Sequence, residues 1–405
     1  MKVFDVTADE LQDYEEKLHA ASTASADAFE KLARAQNLPT LEHDARKSAI
    51  YHAANDTVST FSDATGKIAC DFFDAHVEGA TPSEIPPQPK YIKQRLYERI
   101  EEHEQTHELG DDEFLQRMSQ DVYTEVYHHA NRTMIHNAIK NKLRYARVPM
   151  GNACAFCLML ATRGFTYYTR ISAGEDKGHY HVHCHCKIVA GTKNTKVAGY
   201  DPDGLNKRIK QVADSLGIQN FSWKDCMSNS SIQYRLQEEL QFRDKDWVLT
   251  GKPPEIDYSK NPRQNYGVRK VENNDYSKEN FKKRHNEWRD LFVHDTLAQN
   301  GYKVQPQGGS DIDLRINGQL WEVKSPMPMR DSNPDSLRWI ENNVKAANAQ
   351  FRKRGINGET SLILSGYYYA INDAIIEKEL VKRARQHKVK RVIFIDKTGN
   401  IKRLI

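Results

Sequence analysis

The sequence predicts a multidomain protein with a mostly α-helical N-terminal region, a small Cys/His-rich insert and a C-terminal α/β domain with a mixed sheet. With 405 residues the chain is too long for one ordinary hydrophobic core, which favours two or three domains. Long helical patterns dominate the first part, whereas short apolar strands alternate with helices in the last. The predicted divisions are a helical region (1–150), a Cys/His segment with a following helix (151–220), a linker (221–279) and the α/β domain (280–405).

The N-terminal region is expected to be helical from residue 8 to residue 147. Ala, Glu, Lys and Leu dominate its first stretch, which Pro39 ends. Helical patterns continue over 41–76, 91–105 and 112–145 without β-like alternation. Because no catalytic constellation stands out in these charged helices, the region is interpreted as a scaffold or assembly surface.

Composition excludes some classes of protein and favours others. The mean hydropathy is −0.76, and no run of about 18 apolar residues is present that could span a bilayer. The N-terminus lacks the apolar core of a signal peptide, so secretion by that route is not expected. Residues 278–405 carry 24 Lys and Arg against 15 Asp and Glu, whereas the preceding residues carry 35 against 40. A basic C-terminal domain suits a polyanionic substrate, although a basic solvated surface is the alternative.

The C-terminal domain is predicted element by element from its periodicity. A helix is expected over 286–299 and a short strand over 302–305. Apolar alternation on either side of Asn317-Gly318 predicts a two-residue β-hairpin. The order α-β-β-β-α-β-α-β is completed by the hairpin strands 312–316 and 320–324, helix 336–354, strand 361–364, helix 372–387 and strand 392–395.

A cluster of cysteines and histidines predicts a structural zinc site. Thiolate and imidazole ligands in paired spacing suit tetrahedral Zn²⁺, and such a site can supply folding energy to a loop-rich segment. More than four candidate ligands favour a closed site over a catalytic one. Reduced, metal-free cysteines are the alternative. The preferred ligands are Cys154, Cys157, His181 and Cys184, with Cys186 or His183 as substitutes.

The segments Tyr145–Pro149, Cys154–Gly164, His181–Cys186 and Gly199–Asp203 resemble the phage head-morphogenesis (Mu F-like) minor capsid family. Val182 stands where that family usually has a proline, a departure that removes no ligand. The resemblance implies a virion protein of the head and portal region, with phage portal and head proteins as partners. No membrane partner is expected.

Asp313, Glu322 and Lys324 form the candidate catalytic centre. Glu322 and Lys324 are two residues apart in a strand and therefore share one face. Asp313 can reach that face from the neighbouring hairpin strand. Two carboxylates can hold Mg²⁺ or another divalent cation, and the lysine can orient water and offset charge in the transition state.

This pattern resembles the PD-(D/E)xK nucleases, and more closely the nuclease toxins of contact-dependent-inhibition systems. The resemblance implies that Glu287 assists at the metal and that Gln350 belongs to the site. Ile312 stands where the motif has proline. A tRNA nuclease is implied somewhat more than a DNA nuclease, acting in a bacterial cytoplasm and opposed by a cognate immunity protein.

Basic residues are candidates for binding nucleic acid. They are Lys345, Lys382, Arg383 and Arg385, the last three within a basic run that extends to Arg391. A solvated helix end is the alternative interpretation. Tyr367, Tyr368 and Tyr369 could stack bases or pack internally. Two other functions stay open: a structural head protein that binds nucleic acid without cutting it, and a DNA-processing nuclease.

Overall fold

The protein forms two compact units, Met1–Pro202 and Asp203–Ile405. The predicted helical N-terminal region and the C-terminal mixed sheet are both confirmed. None of the helices that the structure describes is long and apolar enough to cross a membrane. The computed structural model describes residues 1–103, 110–150, 153, 155–169, 186–222, 228–257, 287–307, 312–326, 337–366 and 372–405.

The first unit is a bundle of four helices. They are α1 (Ala8–Ala35), α2 (His43–His76), α3 (Pro89–His103) and α4 (Asp112–Lys140). Thr7 and Glu10 form a capping box at the start of α1, which satisfies backbone donors that the helix cannot. Apolar residues of all four helices make one shared core, which includes Phe29, Val58, Leu96, Met118 and Val122.

Short strands complete the first unit. β1 (Lys2–Val3) pairs with β2 (Val77–Glu78). β3 (Arg144–Val148) pairs antiparallel with β4 (Lys187–Gly191), and the buried helix α5 (Ala155–Ala161) lies between them in the chain. The expectation of a helix up to residue 145 is therefore wrong, since α4 ends at Lys140, and the Cys/His segment that the sequence predicts as loop-like contains α5.

The reason for this difference lies in α4. Its buried Asn131 donates a hydrogen bond to the Cys186 carbonyl at 3.0 Å and accepts one from the Ile188 backbone at 3.1 Å. The side chain thereby satisfies backbone groups at the start of β4, so the strand can be buried against the bundle. Such a contact joins residues 55 and 57 positions apart, and local periodicity cannot reveal it.

The second unit begins with three helices, α6 (Pro202–Ser215), α7 (Ser230–Phe242) and α8 (Lys245–Thr250). Arg208 of α6 donates to the carbonyl oxygens of Val248 and Leu249, each at 2.8 Å. Trp247 is buried, and its indole N–H donates to the Gln299 carbonyl at 2.9 Å. α7 and α8 lie inside the segment that the sequence predicts as a linker, yet they pack into the second unit.

A buried polar cluster joins α7 to the rest of this unit. Glu239 is 1% exposed and forms ion pairs with Arg243 and Arg403. It also accepts a hydrogen bond from the Tyr302 hydroxyl at 2.8 Å. Burial alone would raise the pKa of Glu239, but the two guanidinium groups and the hydroxyl outweigh burial and lower that pKa. The carboxylate is therefore a charged, fully surrounded anchor for the helix.

The sheet of the second unit has the strand order β10-β9-β8-β7-β6-β5. β7, β8 and β9 are parallel, and the other neighbours are antiparallel. The predicted element order is present, with β10 as an addition. The elements are α9 (Glu287–Gln299), β5 (Val304–Pro306), β6 (Leu314–Ile316), β7 (Gln319–Lys324), α10 (Arg338–Lys353), β8 (Ser361–Ser365), α11 (Asp373–Gln386), β9 (Arg391–Ile395) and β10 (Ile401–Arg403).

The predicted hairpin between β6 and β7 is present. Asn317 and Gly318 have φ angles of 49° and 81°, the left-handed conformations that a tight turn between twisted strands requires. Trp321 and Val323 point to the face that packs against α9. Because side chains alternate along a strand, Glu322 points to the opposite face, where α10 and α11 cover Leu362 and Leu364.

Candidate functional site

Asp313 and Glu322 face each other across the β6–β7 hairpin. Leu314 pairs with Trp321, so continuation of this antiparallel register places Asp313 opposite Glu322. Side chains directly opposite each other have Cβ atoms about 5 Å apart. The Asp313 carboxylate also accepts a hydrogen bond from the Val323 backbone N–H at 2.7 Å, which fixes its orientation at the end of β6.

Lys324 completes the group. Its ammonium donates to one carboxylate oxygen of Glu322, and the two side chains form an ion pair. Glu322 is 2% exposed, whereas the Lys324 side chain keeps 21% of its surface accessible. The structure therefore brings together the three residues that the sequence predicts as the catalytic centre, with the lysine on the solvent side.

The donor set fits a divalent cation. Like charges directly opposite each other on neighbouring strands are destabilising, and a bound cation would offset this repulsion. Carboxylate oxygens are the protein ligands that Mg²⁺ prefers. Within the described residues no group of three His, Cys, Asp or Glu side chains is placed to hold a metal ion. Glu287, the predicted third ligand, is the first residue of α9. Its side chain is not among the parts of the chain that the structure describes.

Gln350 lies in the last turns of α10. β7 and β8 are parallel, so the helix that connects them runs back along the sheet and ends where β8 begins. Glu322 pairs with Leu362, the second residue of β8, and thus belongs to the same end. The amide oxygen of Gln350 is buried and has no hydrogen-bond partner among the described residues. Gln350 therefore lies at the same end of the sheet as Glu322.

The basic residues predicted to contact nucleic acid differ in whether they form ion pairs with carboxylates of the protein. Lys345 is paired with Glu341 at 2.6 Å, and Arg383 is paired with Glu341 and Glu379 at 2.8 and 2.6 Å. Lys382 lies 3.6 Å from Glu379. Carboxylates thus offset three of these four cations.

Arg385 is exposed and has no ion pair in the described part of the chain. Asn348 of α10 donates to the His387 carbonyl at 2.7 Å, which holds the basic end of α11 beside the last turns of α10. The basic run and the carboxylate pair therefore share one end of the sheet. Tyr367, Tyr368 and Tyr369 lie outside the described residues.

Two of the predicted zinc ligands come together in the first unit. Cys157 of α5 and Cys186, which directly precedes β4, are buried in one small cluster although they are far apart in the sequence. Cys154, His181, His183 and Cys184 lie outside the described residues, so the zinc site stays a prediction.

Sequence reasoning missed Arg315. It lies in β6 between Leu314 and Ile316, which are buried against α9. Strand alternation therefore points Arg315 to the same face as Asp313 and Glu322. The sequence does contain a signal for Arg315: side chains alternate along a strand, so residues 313 and 315 share a face.

Comparison with known proteins gives one result for the first half of the chain. A family model described as VG15 protein matches residues 5–212, slightly more than half of the sequence. No curated protein and no solved structure matches the chain. The matched segment covers the helical bundle and the Cys/His segment, and it ends before α7 and the six-stranded sheet.

Proposed function

Because this chain belongs to the VG15 family of phage-genome proteins, we propose that it is a minor head protein of a phage particle with a second, enzymatic unit. The family segment spans the first unit, which is mostly helical and carries the Cys/His cluster. The resemblance of that cluster to Mu F-like head proteins supports a place near the portal. Portal and head proteins are the proposed partners of this unit.

The second unit is proposed to be a metal-dependent endonuclease that hydrolyses phosphodiester bonds. The observation that carries this proposal is the pair Asp313 and Glu322, placed opposite each other with Lys324 bound to Glu322. Carboxylates placed in this way, with a partly accessible lysine beside them, can serve as ligands of a divalent cation. The same arrangement suits a cation and a phosphate.

The residues divide the chemistry between them. Asp313 and Glu322 would hold Mg²⁺, which supplies a Lewis acid for the scissile phosphate. Lys324 donates a hydrogen bond to the attacking water or to a phosphate oxygen and offsets the charge that develops there. Water would form the new bond to phosphorus through its oxygen and release one proton to solvent, the ester bond to the leaving oxygen would break, and that oxygen would take up a proton from solvent, so that one water is consumed. Gln350 would position Lys324, the water or the nucleic-acid backbone.

The proposed substrate is nucleic acid in a bacterial cytoplasm, with tRNA favoured by the resemblance to contact-dependent-inhibition toxins. A cognate immunity protein would then protect the producing cell. The basic end of α11 with Arg385 supports binding of a polyanion.

The test uses the second unit, residues 203–405, and the full chain. Both should cut nucleic acid with Mg²⁺ and stop in EDTA, and the Glu322→Gln variant should bind without cutting. Sequencing the ends of cellular RNA and DNA after expression identifies the substrate: tRNA ends support the toxin, and DNA ends support a DNA-processing nuclease. Binding by the wild type without any cleavage would instead support a purely structural protein.

A further inference from the structure

Arg315 lies on the face of the sheet that α10 and α11 cover farther along, over β8 and β9, and in the described part of the chain these two helices do not bury it. α10 and α11 pack over residues of β8 and β9, whereas Gln305, Arg315 and Leu320 on the same face of β5, β6 and β7 are partly exposed. Arg315 and Asp313 are two residues apart on one strand, which places their Cα atoms about 7 Å from each other. Arg315 is thus a cation two residues from Asp313 on the same face of the sheet.

The Arg315 side chain is held in place but not neutralised. Its guanidinium donates to the Gly318 carbonyl at 2.8 Å and to the Gln307 side chain at 3.4 Å. No carboxylate of the described residues lies within ion-pair distance of it. Lys303, which precedes β5, is instead paired with Asp244 at 2.9 Å.

Arg315 also forms part of the wall of a cavity of about 490 Å³. The carboxylates that line this cavity, Asp244, Asp246, Glu255 and Asp257, belong to the start of α8 and the chain after it. Asp257 there accepts a hydrogen bond from Gln305. Arg315 is thus one of three cations, with Lys252 and Lys303, among the described residues that line the cavity.

We propose that Arg315 binds a backbone phosphate of the nucleic acid next to the scissile phosphate. This inference rests on the proposed nuclease function. It adds on which side of Asp313 and Glu322 the nucleic-acid strand continues. A guanidinium offers several N–H donors in a planar fork, and two of them are used here, so others are free to hold a phosphate oxygen. The strand would run from Arg315, past Asp313 and Glu322, towards the basic end of α11.

The experiment compares Arg315→Ala and Arg315→Lys with the matched control Lys303→Ala in the full chain. Lys303 lines the same cavity and has the same charge, but Asp244 already offsets it. Binding of tRNA and of a short DNA duplex is measured in EDTA over a range of salt concentrations, so that the result does not depend on cleavage. Cleavage with Mg²⁺ gives KM and kcat separately.

Arg315→Ala should weaken binding about tenfold and reduce the salt slope by about one, as the loss of one phosphate contact does. Arg315→Lys should recover part of the affinity, and Lys303→Ala should match the wild type. In cleavage, KM should rise with kcat nearly unchanged. Whether Arg315→Ala weakens the binding of tRNA, of DNA or of both shows which nucleic acid supplies the phosphate that Arg315 binds.

Equal effects of Arg315→Ala and Lys303→Ala would overturn the proposal, and so would a loss of kcat with unchanged binding. A wild type that binds but does not cut would refute the nuclease function alone, since the binding data still decide the role of Arg315. Thermal unfolding of each variant shows whether a substitution destabilises the fold. If weaker binding came only from such destabilisation, Arg315→Lys would not restore the salt slope of the wild type.

Discussion

The Asp313 carboxylate is fixed by the backbone N–H of Val323 at 2.7 Å, on the strand that carries Glu322. One oxygen of the Asp313 carboxylate thus accepts a hydrogen bond from the neighbouring strand, and the carboxylate also faces Glu322. A ligand held in this way needs little further ordering when a cation binds, because its orientation is already set. The hairpin therefore both forms the fold and prepares the site.

The first prediction separates the charge of Asp313 from its hydrogen bond. Asp313→Asn keeps an oxygen that can accept from Val323 but loses the negative charge. Cleavage should fall on the order of 10²–10³-fold, as expected when a group that stabilises the transition state through the cation is removed. Thermal unfolding should stay close to that of the wild type. Glu359→Gln is the control, since Glu359 is paired with Lys390 at the surface; equal activity of the two variants would contradict the assignment.

The second prediction concerns Glu239, the buried anchor of α7. Glu239→Ala leaves Arg243 without its carboxylate in the interior and removes the partner of Tyr302. Loss of one member of a buried ion pair costs about 3–5 kcal/mol, so the denaturant midpoint of residues 203–405 should fall sharply. A fragment that begins at residue 270 should be less stable than residues 203–405 for the same reason. If both fragments unfold at the same denaturant concentration, α7 and α8 do not belong to this unit.

The third prediction is that the first unit binds one zinc ion. Residues 1–202, purified without a metal-binding tag, should contain about one equivalent of zinc by elemental analysis. Cys157→Ser should lower the zinc content and the stability together, because metal binding contributes folding free energy. Cys70→Ser is the matched control, as Cys70 is buried in α2 away from the cluster of Cys157 and Cys186. A folded, zinc-free wild type would refute the site.

The fourth prediction is a loss of stability of the first unit in mild acid. Burial, aided by the neighbouring Arg132, lowers the pKa of His129 to about 4. The unfolded chain, with a histidine pKa of about 6.5, therefore binds more protons than the folded unit between these values. The free energy of unfolding should fall by about 2 kcal/mol between pH 7 and pH 5. His129→Gln should show a smaller fall in urea unfolding of residues 1–202; an identical pH dependence would count against this histidine.

Elements with strong local signals were predictable from the sequence. The β6–β7 hairpin follows from alternation around Asn317-Gly318, and the carboxylate pair follows from the hairpin. β10 was missed because Ile401-Lys402-Arg403 has only one buried apolar residue. Contacts between distant parts of the chain had no local signal. Glu239 and Arg403 are 164 residues apart, so the packing of α7 could not be seen, and neither could the pairing of Arg383 with Glu341.

The helix α6 overlaps the family match in sequence and packs against the second unit in the structure. Its first eleven residues, up to position 212, lie within the VG15 match, but Arg208 and Gln211 bond to Val248, Leu249 and Asn300 of the second unit. A genetic exchange that joined a foreign C-terminal unit after residue 212 would leave these side chains facing an unrelated surface. Viable recombinants between phages should therefore keep α6 with the downstream gene segment, and crossovers should fall before Pro202.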